Sequence, residues 1–225
     1  MARILAAFFS IVLMAASAGA STITWGPATD TTGPSDVSLA GFLVTAVDMA
    51  GVGATVNGVV FQNGFSGPTH AFSGLVNRNF AFADGADLGD PDFTELLRTA
   101  GWSGRGPGDI TLTGLTPGFT YDLQIFFMDQ RGCCNDRHVT LTSGLNQVTL
   151  AADPGNGLGA PFGQFTIGTF VADAATQGLA ISGEVVTQVN AWQLREIAIP
   201  EPGSLLLVGS GVTLLAQRRR RTSRA

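Results

Sequence analysis

Apolar and polar residues alternate in short runs along the middle of this chain. In the clearest run, Phe119–Met128, every odd-numbered position up to Phe127 is aromatic or aliphatic. This period of two is typical of a strand that covers a hydrophobic core with one face. We therefore predict a strand there, with its odd-numbered side chains in the core.

Similar runs recur between glycine-rich turns on both sides of that strand, and long helical periodicity is scarce. A succession of short strands of this kind predicts a single all-β domain, a jelly-roll-like β-sandwich. The predicted strands are Thr22–Trp25, Phe42–Asp48, Ala54–Phe61, Asn79–Ala83, Asp109–Leu115, Phe119–Met128, Arg137–Ser143, Asn146–Leu150, Gly163–Val171, Gly178–Val186 and Val189–Ile197.

One short helix is expected among these strands. Asp90 can cap its N-terminus, and Pro91 suits its first position. Three apolar residues at helical spacing follow before Gly101, where we expect the helix to end: Phe93, Leu96 and Leu97.

The segment Leu115–Gly118 has the residues of a turn directly before the clearest strand. Pro117 presets φ and Gly118 accepts a positive φ, as a type II turn requires. Together with Tyr121, this segment resembles the start of a core strand in fibronectin-type and other β-sandwich modules. The resemblance implies that the Tyr121 hydroxyl returns to the nearby backbone.

The N-terminal residues differ in character from the rest of the chain. Met1–Ala20 begins with one positive charge at Arg3, continues with an apolar run and ends in small residues before Ser21. These features predict a secretion signal peptide, and a buried N-terminal helix is the alternative. The folded domain is then expected to span Ser21–Ile199, ahead of a distinct tail.

The tail, residues 200–225, has three parts in a fixed order. Pro200, Glu201 and Pro202 are followed by an apolar stretch, Ser204–Ala216, and by the basic cluster Arg218–Arg221. This ending resembles the PEP-CTERM sorting signal of bacterial envelope and biofilm proteins. The resemblance implies processing near the Pro-Glu-Pro motif by exosortase, a membrane protease-transpeptidase, and an association with extracellular polysaccharide.

The apolar stretch is short for a permanent membrane anchor. As a helix, Gly203–Gln217 would span about 22 Å at roughly 1.5 Å per residue, against a hydrocarbon core of roughly 30 Å. Clustered arginines favour the cytoplasmic side of the membrane, which leaves the domain outside. We therefore expect transient insertion in the inner membrane and a mature protein at the envelope surface or in the extracellular matrix. An ordinary short anchor is the alternative.

Charge is distributed unevenly between the domain and the tail. Residues 21–199 contain 16 Asp and Glu against 6 Arg, whereas residues 200–225 contain Glu201 and five Arg. An acidic domain with a net charge of −10 disfavours broad contact with nucleic acid or anionic lipid. The chain contains no Lys, which excludes Schiff-base chemistry on that residue, and its two adjacent cysteines cannot form a disulfide framework.

A charged segment follows the clearest strand. It is expected to form the tip of a hairpin that joins Phe119–Met128 to Arg137–Ser143, and loops on rigid strands often bind ligands. Arginine forks and carboxylates there can hydrogen-bond sugar hydroxyls, while a bridge between the adjacent cysteines would stiffen the loop. A solvated turn is the alternative. The candidate ligand-binding residues are Asp129, Arg131, Cys133, Cys134, Asp136, Arg137 and His138.

Acidic residues cluster ahead of the predicted helix. In a twelve-residue EF-hand loop beginning at Asp84, positions three and five would be Ala86 and Leu88, which cannot supply ligands. No cofactor is therefore predicted, while a calcium site of another kind and an acidic helix start without an ion both stay open. The candidate calcium ligands are Asp84, Asp87, Asp90 and Asp92.

Catalytic motifs are scarce in the sequence. The two histidines, His70 and His138, lie in no metal-ligand pair, and no G-x-S-x-G nucleophile motif occurs. No catalytic residue is predicted, and a non-catalytic matrix or carbohydrate-binding protein is favoured. A small extracellular hydrolase of polysaccharide that uses two carboxylates is the alternative. Two carboxylates facing each other in a cleft would favour the enzyme, and a shallow aromatic face would favour binding.

Overall fold

Short strands dominate the structure, a computed structural model, as the alternating pattern predicts. The signal-peptide residues, the predicted strand at 79–83 and the tail with Pro200, Glu201 and Pro202 lie outside the described residues. The structure describes residues 21–64, 67–78, 88–103, 106–131, 133–134, 136–154 and 162–198. The strands are β1 (Thr24–Trp25), β2 (Thr29–Asp30), β3 (Phe42–Asp48), β4 (Ala54–Val56), β5 (Val59–Asn63), β6 (His70–Ser73), β7 (Val76–Arg78), β8 (Ala100–Ser103), β9 (Gly108–Thr113), β10 (Thr120–Phe127), β11 (His138–Ser143), β12 (Asn146–Ala151), β13 (Gln164–Val171), β14 (Thr176–Gly183), β15 (Thr187–Val189) and β16 (Ala191–Ile197); α1 covers Pro91–Arg98, and a 3-10 turn covers Pro34–Asp36.

The larger sheet is built around β10, the strand that the sequence predicts most clearly. β10 pairs antiparallel with β13 on one side and with β16 on the other. The sheet runs in the order β1-β13-β10-β16-β3-β5-β4, with β2 beside β13. β16, the last strand along the described chain, therefore lies in the middle of the sheet.

A second sheet covers one face of the first. Its five strands run in the order β12-β11-β14-β9-β6, and all neighbours are antiparallel. Leu123, Ile125 and Trp192 of the larger sheet share a buried core with Leu141 and Ile181 of the second sheet. The two sheets form a β-sandwich, which confirms the predicted fold class.

The opposite face of the larger sheet packs against α1. Phe93 of the helix shares a second buried cluster with Phe126 of β10, and the Asp90 carboxylate accepts a hydrogen bond from the Phe93 N–H at 2.8 Å. The predicted helix is confirmed, but it ends at Arg98; Gly101 lies within β8, which pairs with β7 and β15 in a small third sheet. Over the described ranges, no helix combines the length and hydropathy needed to span a bilayer.

Tyr121 makes the corner contact that its resemblance to β-sandwich modules implies. Its hydroxyl oxygen accepts a hydrogen bond from the Thr116 backbone N–H at 2.9 Å, and its ring stacks on Phe170 with centroids 5.6 Å apart. Gly118 has a φ of 87°, which glycine adopts without steric cost. The corner thus fixes the direction in which the chain enters β10.

The two ends of the sandwich carry different parts of the chain. Thr120 pairs with both Val171 and Ile197, so β10 begins where β13 and β16 finish. The described domain begins at this end, because β1 pairs antiparallel with the later half of β13. It also finishes there, because Ala198 directly follows β16. We term this end the exit end. The opposite end, where β10 leads into residues 128–137, is termed the loop end.

Candidate functional site

The charged segment after β10 crosses from one sheet to the other. Among the described strands, β10 pairs with β13 and β16 of the larger sheet, whereas β11 pairs with β12 and β14 of the second sheet. The expectation of a hairpin between these two strands is therefore wrong. The segment instead bridges the two layers at the loop end, which places part of it inside the protein.

Asp129 lies at the centre of an internal ion-pair cluster. Its carboxylate is fully buried and accepts hydrogen bonds from Arg131 Nε and Nη2 at 2.8 and 2.7 Å, and from Arg137 Nη1 at 3.0 Å. Two cations thus surround one desolvated anion, the kind of arrangement that buried charge requires. Asp129 faces the protein interior, and both arginine side chains donate hydrogen bonds to its carboxylate.

Cys133 and Cys134 form a disulfide between neighbouring residues at the surface of the same segment. Cys133 is exposed and Cys134 is buried. The Cys134 N–H donates to the Arg131 carbonyl at 2.8 Å, which closes a turn around the ion-pair cluster. A bridge that encloses almost no chain contributes little loop entropy, so its effect on the fold is local.

Asp136 and His138 are the exposed members of the predicted set, apart from Cys133. His138 opens β11 and lines a cavity of about 410 Å³ on the outer face of the second sheet. This cavity, which we name the hydroxyl groove, is bounded by three strands and by the turn that follows β14. Its lining residues are His138, Thr140, Thr149, Ser182, Gly183 and Glu184.

Strand pairing brings the polar side chains of the hydroxyl groove together. Thr140 stands opposite Thr149 on β12 and opposite Ser182 on β14. The Thr140 and Thr149 hydroxyl oxygens lie 2.9 Å apart and share a hydrogen bond. Ser182 and Glu184 are exposed, so a hydroxyl and a carboxylate remain in contact with water on the far side of the groove.

Five of the groove residues were absent from the predicted site: Thr140, Thr149, Ser182, Gly183 and Glu184. The sequence carries a partial signal for Thr140, because it lies between the core residues Val139 and Leu141 and must face outward. Nothing local shows that three separate strands bring these side chains to one place. Their meeting is set by the pairing of β11 with β12 and β14.

Two of the four candidate calcium ligands lie among the described residues. Asp84 and Asp87 lie outside the described residues. Asp90 caps α1, and Asp92 lines a second open cavity, of about 370 Å³, beside β4 and β5. Within the described ranges, no group of three or more acidic, His or Cys side chains is arranged to hold a metal ion.

Two buried titratable groups lie away from the hydroxyl groove. Burial raises the pKa of Asp48, whose carboxylate accepts hydrogen bonds from the Gly51 N–H at 2.8 Å and the Thr99 hydroxyl at 3.2 Å. Burial lowers the pKa of His70, whose Nε2 donates to the Gly64 carbonyl at 3.1 Å. Both groups hold neighbouring backbone segments in place, and neither lines a described cavity.

Comparison with known proteins gives little further information. No family model matches the sequence, and no curated protein matches it either. Among solved structures, the chain shows a 14% identical match to one described as "Structural basis for the promiscuous specificity of the carbohydrate-binding modules from the beta-sandwich super family". The match covers 72% of this chain and 62% of that one, with a TM-score of 0.13. So low a score does not establish a shared topology, and the fold rests on the strand pairing described above.

Proposed function

We propose that this chain is an exported, non-catalytic surface or matrix protein that binds neutral extracellular polysaccharide in the hydroxyl groove. Export and sorting follow from the predicted signal peptide and from the tail with Pro200, Glu201 and Pro202. Exosortase is the expected processing partner. The observation that carries the binding proposal is an open polar cavity formed by side chains from β11, β12 and β14 at the loop end.

The chemistry of the groove suits sugar hydroxyls. Thr140, Thr149 and Ser182 each offer a hydroxyl that donates and accepts, and the Glu184 carboxylate accepts from two adjacent sugar hydroxyls. His138 adds a planar ring at the rim. This set contains a single carboxylate and no arginine, so it favours a neutral glycan over an anionic one.

The same lining argues against the hydrolase alternative. Glycosidases place two carboxyl groups across the scissile bond, whereas Glu184 is the one carboxylate among the described residues that line the hydroxyl groove. The second cavity also has one, Asp92, among the residues that line it. A shallow open site of this kind binds weakly, with an expected single-site free energy of about −4 to −6 kcal/mol.

A glycan array followed by calorimetry with the purified full chain tests the proposal. Glu184→Gln combined with Thr140→Val should weaken binding roughly tenfold or more, because a lost hydrogen bond to a charged group is worth about 1.5–3 kcal/mol. Thr111→Val is the matched control, since Thr111 faces outward on β9 of the same sheet and does not line the groove.

Three outcomes decide the matter. Binding that falls in the double variant and persists in Thr111→Val supports the groove as the site. Equal binding in the parent and the double variant places the site elsewhere. A parent chain that binds no glycan leaves a purely structural matrix role and removes the binding proposal.

A further inference from the structure

Exposed apolar side chains concentrate at the exit end of the sandwich. Ten large apolar residues are exposed among the described residues, and six of them lie at or beside this end. Soluble domains usually scatter such residues singly over the surface, whereas clustering indicates an interaction surface. The six, which we name the apolar rim, are Leu39, Phe42, Leu43, Phe119, Leu145 and Val171.

Strand register places these residues together. Phe42 pairs with Glu196, the last but one residue of β16. Val171 pairs with Thr120 at the start of β10. Phe119 immediately precedes Thr120. Leu145 lies in the turn between β11 and β12, beside Asn146, whose amide donates to the Ile23 carbonyl near the start of the domain.

The exit end also carries little charge in its loops. Residues 38–41, 114–119, 144–145 and 172–175 contain one charged side chain, Asp173. The loop end is very different, with Asp129, Arg131, Asp136, Arg137, Asp153 and Glu184. An acidic domain is repelled by anionic surfaces. At a zwitterionic surface, an apolar end with almost no loop charge avoids most of this electrostatic repulsion.

The chain continues directly from this end into the apolar part of the tail. Ala198 follows β16, and the apolar stretch begins at Ser204. Six residue steps span at most about 20 Å even when fully extended. Once the apolar stretch is inserted in a bilayer, the exit end therefore lies within about 20 Å of the membrane. This distance is shorter than the sandwich is long, since a strand of eight residues alone spans about 26 Å.

We propose that the exit end rests on the lipid surface through the apolar rim while the tail is inserted, so that the domain stands upright and the loop end points away from the membrane. The proposal rests on the membrane insertion of the tail under the proposed function and is independent of glycan binding. Phe42, Phe119, Leu145 and Val171 contact the acyl–headgroup boundary, and the hydroxyl groove faces the extracellular space.

Spin labels on the chain that begins at Ser21 and keeps the tail, in phosphatidylcholine vesicles, test this orientation, because the apolar run of the predicted signal peptide would itself bind lipid. Leu145→Cys and Val185→Cys are a matched pair, since both residues are apolar and exposed, at 99% and 63%, but lie at opposite ends. Each is placed in the Cys133→Ser, Cys134→Ser chain so that one thiol reacts, and Val171→Cys provides a second position at the exit end. Vesicle flotation measures tail insertion in the same samples.

On lipid binding, labels at 145 and 171 should lose relaxation by a water-soluble nickel complex severalfold and gain relaxation by membrane-dissolved oxygen, while the label at 185 stays unchanged. If the chain floats with vesicles but labels at both ends stay equally exposed to nickel, docking of the rim is overturned and tail insertion stands. Loss of exposure at both ends overturns the upright orientation. A chain that does not float overturns this proposal and the membrane part of the proposed function, and glycan binding on the array is judged separately.

Discussion

At the scale of single residues, the ion-pair cluster at Asp129 determines how strongly substitutions at the loop end lower the stability of the protein. We predict that Arg131→Ala with Arg137→Ala lowers the free energy of unfolding by about 3–5 kcal/mol, because a fully buried carboxylate then loses both cations. Urea unfolding monitored by tryptophan fluorescence measures the change.

Arg98→Ala is the control for that variant. Arg98 pairs with Glu95 one helical turn away, and both side chains are partly exposed, so its loss should cost less than about 1 kcal/mol. If the double variant is no less stable than Arg98→Ala, then water replaces the arginines around Asp129 and the cluster is not a structural element.

His70 gives the protein a residue-scale dependence on pH. Burial lowers the pKa of its imidazole below the ordinary 6.5, so the unfolded chain binds the proton more readily than the folded chain. Stability should therefore fall as the pH drops below about 6.5 toward the lowered folded value. Asp48 acts in the opposite sense, because its raised pKa makes stability fall as the pH rises above 3.8.

The contribution of His70 can be isolated by comparing variants at two pH values. His70→Gln should be less stable than the parent at neutral pH but should lose less stability between pH 7 and pH 5.5, as measured by urea unfolding. Thr111→Val, an outward-facing change that removes no titratable group, is the control, and its stability should change with pH as much as that of the parent. If the free energy of unfolding of His70→Gln changes between pH 7 and pH 5.5 as much as that of the parent, the assignment to His70 is wrong.

At the scale of secondary-structure elements, the corner before β10 is the most local determinant of the sandwich. We predict that Tyr121→Phe costs about 0.5–1.5 kcal/mol, because the partly buried hydrogen bond from the Thr116 N–H to the hydroxyl is lost while the stacking on Phe170 remains. Thr116→Ala keeps the donating N–H and should be nearly neutral. A Tyr121→Phe chain with an unchanged urea midpoint would show that the corner is dispensable.

The elements also show what could be predicted from sequence. β10 and α1 were predictable because their side-chain periods and the residues at their starts are local features: the odd-numbered positions from 119 to 127, the turn at Pro117, and the cap at Asp90. The hairpin after β10 was wrong because the neighbour in sequence is not the neighbour in space. β10 pairs with β13 and β16, and no residue near 129 carries that information.

The candidate site shows the same limit. His138 was identified from its position in a charged loop, and it does line the hydroxyl groove. Thr140, Thr149 and Ser182 could be placed on an outer face by alternation, but their meeting depends on the antiparallel register of three strands. Asp129 was expected at the surface because charged loop residues usually are; its burial follows from the crossing between sheets.

At the scale of the whole molecule, export and sorting predict two specific losses of mass. Intact-mass analysis of envelope material should show a chain that lacks residues 1–20 and most of the tail beyond Pro202. Replacing Glu201 by Ala should leave the N-terminal loss intact and retain the tail. Full-length chain recovered from the cytoplasm would contradict export.

Under the proposed export, the central position of β16 ties the order of folding to the order of translocation. Among the described strands, β16 alone joins β3, β5 and β4 to the rest of the larger sheet, and its partners in β3 lie more than a hundred residues earlier in the chain. Until residue 197 has crossed the membrane, the sheet exists as two unjoined halves, and pairing between such distant segments is slow. The segments that cross first therefore remain on the outer side without the strand that joins the two halves of the larger sheet. The strand that completes the larger sheet also leads into the Pro-Glu-Pro motif, so the sheet can close only when the apolar stretch of the tail is already entering the membrane.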